Sequence, residues 1–165
     1  MMRNLSVLVM ILFTILVGCS SKSTFEPQPI DLGVDSCDEC HMGIQNLQAS
    51  SEVIMKDGTP KKFDDIGCMV VFLKDNLEQT TNIFVHDYKT TEWIDMNEAT
   101  FIQGSKIDSP MNYGFVAFSS SEDAKTFQAE NGGELYTPDE VLKADVQELK
   151  DAGHNNGHDT EHDMK

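Results

Sequence analysis

Two thiols, an imidazole and a thioether fall within the single run Cys37-Asp38-Glu39-Cys40-His41-Met42. Thiolate and thioether are soft donors and imidazole is a borderline one, so this density points to Cu(I) first and zinc second. Cys-x-x-Cys alone carries three meanings: a metal chelate, a redox-active dithiol or an ordinary disulfide. A redox pair of the thioredoxin type opens a helix after a strand, whereas a polar stretch precedes Cys37. Structural zinc asks for a second cysteine pair or a histidine pair, and the folded part offers only scattered His41 and His86. A further thioether, Met111, stands in Ser109-Pro110-Met111-Asn112-Tyr113-Gly114, where proline and glycine predict a turn that turns the side chain outward. Thioether sulfur binds Cu(I) well and zinc hardly at all, so methionine moves the balance towards a copper site. Met55, Met69 and Met96 read as core fillers. Cys68 lies in an apolar helical run and reads as a buried, inert thiol.

Those ligands have to be delivered and held. At the N-terminus Arg3 precedes an apolar run from Leu5 to Val17 that closes on Leu16-Val17-Gly18-Cys19. The run is short for a spanning helix and reads as a secretory signal ending in a lipobox, with Cys19 diacylated as the first mature residue. Two or three acyl chains anchor a protein stably where one does not. Ser20 and Ser21 carry no aspartate retention signal, which in a two-membrane bacterium permits sorting to the outer membrane. The expected layout is a signal peptide over 1–18, a lipidated flexible tether over 19–34, a folded domain over 35–150 and a disordered tail over 151–165. In that tail His154, His158 and His162 are spaced by four and suit either a weak metal-scavenging end or a solvated one.

The formal charge is -16, and loss of Arg3 with the signal makes the body more acidic still. Such a surface argues against nucleic acid and against lying on anionic lipid, leaving the acyl group as the membrane anchor. It suits cation enrichment and docking to a basic partner. With Cys19 spent on lipid, Cys37, Cys40 and Cys68 cannot all pair within one chain, so this is no disulfide scaffold.

About 115 residues remain for one modest domain. Ala49–Met55 and Lys61–Phe63 predict two strands around an Asp57-Gly58 hairpin turn. Asp64 or Asp65 caps a helix to about Asn76, and Ile83–Asp87 is a strand carrying a structural histidine, His86. A second unit follows: short extended runs at Thr91–Ile94 and Ala99–Ile102, and a strand over Asn112–Phe118. A helix opened by Ser119-Ser120-Ser121-Glu122 runs to about Asn131, where Gly132-Gly133 stops it. Leu135-Tyr136 is a last strand, and Thr137-Pro138 starts one more helix towards Leu149. Strand, strand, helix, strand thus occurs twice, which predicts an α+β domain of two small ββαβ-type units packed together.

In order along the chain stand Cys37-x-x-Cys40-x-Met42, Phe63-Asp64-Asp65-Ile66-Gly67-Cys68, Trp93-Ile94-Asp95, Ser109-Pro110-Met111 before Gly114, Ala117-Phe118, Glu122-Asp123-Ala124 and Gly132-Gly133. From about Asp35 to Leu142 this ordered set resembles the NosL family, bacterial copper-binding lipoproteins that assist nitrous-oxide reductase maturation. The resemblance implies a Cu(I) site of cysteine and methionine, with Cys40 and Met111 as ligands by position. Met42 also matches a family position. His41 replaces the family's usual glycine and either adds a nitrogen ligand or stands exposed in a turn; Cys37 is a second thiolate or a spare. The implied partners are apo nitrous-oxide reductase and its ABC-type membrane assembly complex, met at the periplasmic face of the envelope.

No Gly-x-Ser-x-Gly, phosphate loop or His-Glu-x-x-His is present, and nothing calls for an enzyme. Three functions therefore stand: a membrane-anchored Cu(I) metallochaperone, a thiol–disulfide protein using Cys37 and Cys40, and a copper-buffering lipoprotein with no single client.

Overall fold

Ser51–Met55 (β1) is buried on both faces as far as Ile54, and a tight turn at Gly58 folds the chain back into Pro60–Phe63 (β2), with Val53 opposite Lys61. The computed structural model describes residues 25–104 and 106–155; Cys19, the signal segment, His158 and His162 lie outside them. Asp65 then caps the helix Ile66–Asn76 (α1), its carboxylate accepting from the Gly67 amide. After α1 the chain returns as Thr80–His86 (β3) on the other side of β1, with Val53 opposite Ile83. Trp93–Asp95 (β4) adds to the outer edge of β3. This first sheet is antiparallel, in the order β2-β1-β3-β4.

The second unit repeats the plan. Thr100–Gln103 (β5) is central, flanked by Phe115–Phe118 (β6) and, after the helix Ser121–Asn131 (α2), by Glu134–Tyr136 (β7). In both sheets the first strand of the unit lies in the middle. The next strand pairs on one side of it and the strand that follows the helix on the other. The expected pair of ββαβ units is therefore present, with one reassignment. The extended run at Thr91–Ile94 belongs to the first sheet, because Ile94 pairs with Val85 of β3.

One core joins the units. Val53, Phe63, Met69, Val70 and Val85 of the first pack with Phe101, Phe115 and Ala117 of the second. Strand alternation sends Ile102, Val116 and Phe118 to the opposite face, where Ala124 and Phe127 of α2 cover them. Strand β6 is thus buried along its whole length and the middle of β5 with it, while the edge strand β7 stays largely exposed. At the seam the Asp87 carboxylate accepts from the Ser119 amide and hydroxyl, each at 2.7 Å, and the Tyr88 amide donates to the Ala117 carbonyl.

Three expectations need correction. The helix begun at Thr137 is two helices, Pro138–Lys143 (α3) and Val146–Asn155 (α4). The Asp145 carboxylate accepts from the Gln147 and Glu148 amides, a capping arrangement that starts a new helix rather than continuing the old one. Helix α4 also runs past Asp151, where a disordered tail was expected; Lys150 and Gln147 rest on Tyr113, which props its middle. Finally, the tether is shorter than its composition suggests. The Gln28 amide donates to buried Glu52, Lys62 Nζ donates to the Pro29 carbonyl, and the Gly33 amide donates to the Ile44 carbonyl. Gln28 and Pro29 are thereby docked onto the first sheet, and Gly33 onto the segment that follows the Cys-x-x-Cys turn.

Candidate metal centre

A short ribbon carries the Cys-x-x-Cys turn. Ser36 bridges Gly43, and the turn closes through the Cys37 amide to the Met42 carbonyl and the His41 amide to the Cys37 carbonyl. His41 sits at φ 62°, a left-handed conformation that glycine adopts most easily. That explains why a glycine suits this position, and the imidazole stands exposed. Asp38 ties the turn to β2: one oxygen pairs with Lys61 Nζ at 2.9 Å and the other accepts from the Lys62 amide at 2.8 Å. Neither ion-pair partner is buried, so the pair itself adds at most about 1 kcal/mol.

The turn lies against the start of α1, and the two together make a cluster. The Sγ atoms of Cys37, Cys40 and Cys68 and a carboxylate oxygen of Asp64 all lie within 4.8 Å of one another. Cys37 and Cys68 are each 1% exposed, and Cys40 is half-buried. All three thiols are free. Cys40 Sγ stands 3.5 Å from both oxygens of Asp64, and the Cys40 amide points at Cys37 Sγ, also at 3.5 Å. Cys68 occupies the first turn of α1, at the helix end whose dipole favours an anion.

The thiols are set apart electrostatically. The Cys37 thiol is brought down to about 7, chiefly by the Cys68 side chain and then by the Cys40 amide, against its burial. Cys68 is pushed up as the proton donor of that pair, and burial adds to the effect. Burial also raises Cys40, to about 11, with the neighbouring Cys37 and Asp64 charges contributing. One thiolate near neutral pH, backed by two protonated thiols, is a site that gains ligands as protons leave.

A third segment bears on the same place. The Asp65 carboxylate that caps α1 also accepts from the Ser109 hydroxyl at 2.7 Å and the Met111 amide at 3.0 Å. Ser109 Oγ in turn accepts from the Gly114 amide at 3.0 Å. Tyr113 packs directly over Gly67, leaving no space there for a Cβ. The Ser109–Gly114 turn is thus docked on the N-terminus of α1, and half-buried Met111 packs against the core cluster that includes Cys37 and Cys68.

Of the residues singled out from sequence, Cys37 and Cys40 are in the cluster and Met111 is carried on the turn beside it. His41 and Met42 stand at the exposed lip, Met42 at 54% exposure. Cys19 lies outside the described residues. Cys68 is buried as expected, yet its thiol faces Cys37 rather than the aliphatic core alone, so it joins the cluster. Asp64 was legible only as one of two alternative helix caps. Asp65 takes that role and frees Asp64 to face Cys40. The spacing Asp64-Asp65-x-x-Cys68 puts a thiol on the first helical turn after two carboxylates, but it does not say which carboxylate caps or what the thiol meets.

A family model described as NosL matches residues 29–146. A curated relative, the copper-binding lipoprotein NosL of Stutzerimonas stutzeri, is 24% identical over 157 residues, spanning 87% of this chain and 83% of its own. The crystal structure of the copper chaperone NosL from Shewanella denitrificans superposes with a TM-score of 0.65 at 26% identity, over 70% of this chain and 95% of that one.

Proposed function

The chain belongs to the NosL family, and from that premise we propose that it is a Cu(I)-binding metallochaperone tethered in the bacterial envelope. The observation that carries this reading is the convergence of three thiols on one point. Two sulfurs on opposite sides of one ion stand about 4.6 Å apart at metal–sulfur bonds of ~2.3 Å. Small rotamer changes therefore suffice for Cys37, Cys40 and Cys68 to close on an ion. Soft, polarisable donors suit the cuprous ion.

Half-buried Cys40 is the thiol that meets incoming metal, the buried Cys37 and Cys68 complete the set, and Met111 supplies a thioether from the neighbouring turn. Met42 and His41, at the lip, offer transient donors on the way in or out. A neutral thioether releases its ion more readily than a fourth thiolate would, which suits a protein that hands its cargo on by ligand exchange. The names of the two relatives support copper as cargo and chaperoning as the task, and the lipoprotein relative supports acylation at Cys19. Delivery to apo nitrous-oxide reductase through its ABC-type membrane complex follows from the family resemblance. No helix among the described residues is long and apolar enough to cross a membrane.

The test is a Cu(I) titration of the reduced protein against a competing chelator. Single-site binding, weakened by at least about tenfold in Cys40→Ser and Cys68→Ser, supports the reading; wild-type affinity in both overturns it. For the client, growth on nitrous oxide with ample copper separates the roles: a deletion strain that still respires has lost only a buffer.

The near-neutral Cys37 thiol favours one rival, a dithiol protein cycling a Cys37–Cys40 bond. Rapid disulfide-reductase turnover by protein that takes up no copper would decide for that rival.

A further inference from the structure

Asp65 is the best-connected side chain near the cluster that is not itself in it. It is fully buried, and its two oxygens serve different segments. Oδ1 accepts from the Gly67 amide at 2.8 Å and so starts α1. Oδ2 accepts from the Ser109 hydroxyl at 2.7 Å and from the Met111 amide at 3.0 Å. One carboxylate therefore fixes both the helix turn that presents Cys68 and the turn that carries Met111. Helix capping alone needs only Oδ1; a serine would serve as well, as Ser120 does for α2.

The second oxygen has a separate task. We infer that Asp65 is the positioning residue of the site, holding the Ser109-Pro110-Met111 turn over the α1 N-terminus so that the Met111 thioether meets a metal ion held by the cysteines. This rests on the proposed ligand role of Met111. Burying a carboxylate completely is costly unless it is hydrogen-bonded, and here three donors from two segments meet it where a cap needs one. The connection is also directional. Pro110 precedes the Met111 amide and Gly114 follows at φ 69°, so the bond to Met111 N fixes the residue's backbone while its half-buried side chain packs against the cluster that includes Cys37 and Cys68.

Substituting Asp65→Asn isolates the second task. The amide oxygen can still accept from Gly67, while the amide nitrogen would face the Met111 N–H as donor against donor. The experiment pairs Cu(I) competition with the NMR shift of the Met111 methyl group in full-length reduced protein. In the wild type the methyl resonance moves on Cu(I) loading. In Asp65→Asn it moves little, and affinity falls by about tenfold or more. Adding Met111→Ala to Asp65→Asn then costs nothing further, because both changes remove one interaction. Ser109→Ala, which keeps the carboxylate, shows the same pattern more weakly and stands in if Asp65→Asn does not fold.

Additive losses from Asp65→Asn and Met111→Ala, or a Met111 methyl that still moves fully in Asp65→Asn, overturn the inference. A wild-type methyl unmoved by bound Cu(I) removes the thioether role beneath it, while a protein that binds no Cu(I) at all removes the copper reading.

Discussion

Cys40 Sγ lies 3.5 Å from each oxygen of Asp64, so a thiol from the Cys-x-x-Cys turn and a carboxylate from the start of α1 share one pocket. The Asp64 charge helps to keep the Cys40 proton in place, after burial and alongside Cys37. Asp64→Asn is therefore expected to lower the Cys40 thiol from about 11, though only part of the way to an ordinary thiol, because burial remains the larger cause. Residue-resolved alkylation against pH, read by mass spectrometry, checks this. An unchanged Cys40 profile would mean that the carboxylate does not act on the thiol.

Metal uptake should release protons in a pH-dependent number. Cys37 titrates at about 7 and Cys40 at about 11. Below pH 7 both must lose a proton to bind, whereas above it Cys37 has already done so. The protons released per Cu(I) should fall by one as pH rises through about 7, measured by titration in weakly buffered solution. In Cys37→Ser that step should vanish.

Glycine to alanine within an exposed helix ordinarily gains about 1 kcal/mol. At Gly67 the sign should reverse, since the new Cβ would collide with the Tyr113 side chain. Gly67→Ala is expected to cost about 1–3 kcal/mol in chemical denaturation. It should also weaken Cu(I) binding, by lifting the Met111 turn away from α1.

Acid stability should show the seam between the two units. Burial alone would raise the Asp87 carboxyl, but hydrogen bonds from Ser119, Thr90 and Lys89 outweigh it and hold it at about 2. A depressed carboxyl stabilises the fold above its unfolded value near 3.8, and that contribution is lost as pH falls through about 2. Asp87→Asn should cost about 2 kcal/mol at pH 7 and flatten the stability profile between pH 4 and 2. His86 opens a second window. Burial lowers it to about 4, so the fold prefers it neutral and loses stability as pH falls from 6.5 towards 4. Its Nδ1, 2.9 Å from Ser50 Oγ, and its stacking on Trp93 at 3.6 Å mark it as structural, as its strand position suggested.

What could be read from the chain alone follows the range of the interactions involved. The doubled ββαβ order was legible because hairpin turns, caps and alternating apolar residues are local signals, and most element positions follow from them. The Cys37–Cys40 pair and the Met111 turn were legible for the same reason. Cys68 was not: an apolar helix reads alike whether its thiol meets leucines or other thiols, and only the packing of the turn against α1 decides which. Nor was the division of labour between Asp64 and Asp65, since it turns on bonds to Ser109 and Met111, 44 and 46 residues away. The docked tether escaped notice because backbone hydrogen bonds to Glu52 and Lys62 leave no trace in composition.

The central claim is that sulfur from three separate segments holds one cuprous ion. X-ray absorption at the copper edge, on the reduced Cu(I)-loaded protein, counts those neighbours directly. The account predicts a first shell of four sulfurs, three from cysteine and one from methionine, that falls to three in Cys68→Ser and to three in Met111→Ala. A shell dominated by nitrogen or oxygen, or a sulfur count indifferent to both substitutions, would contradict it.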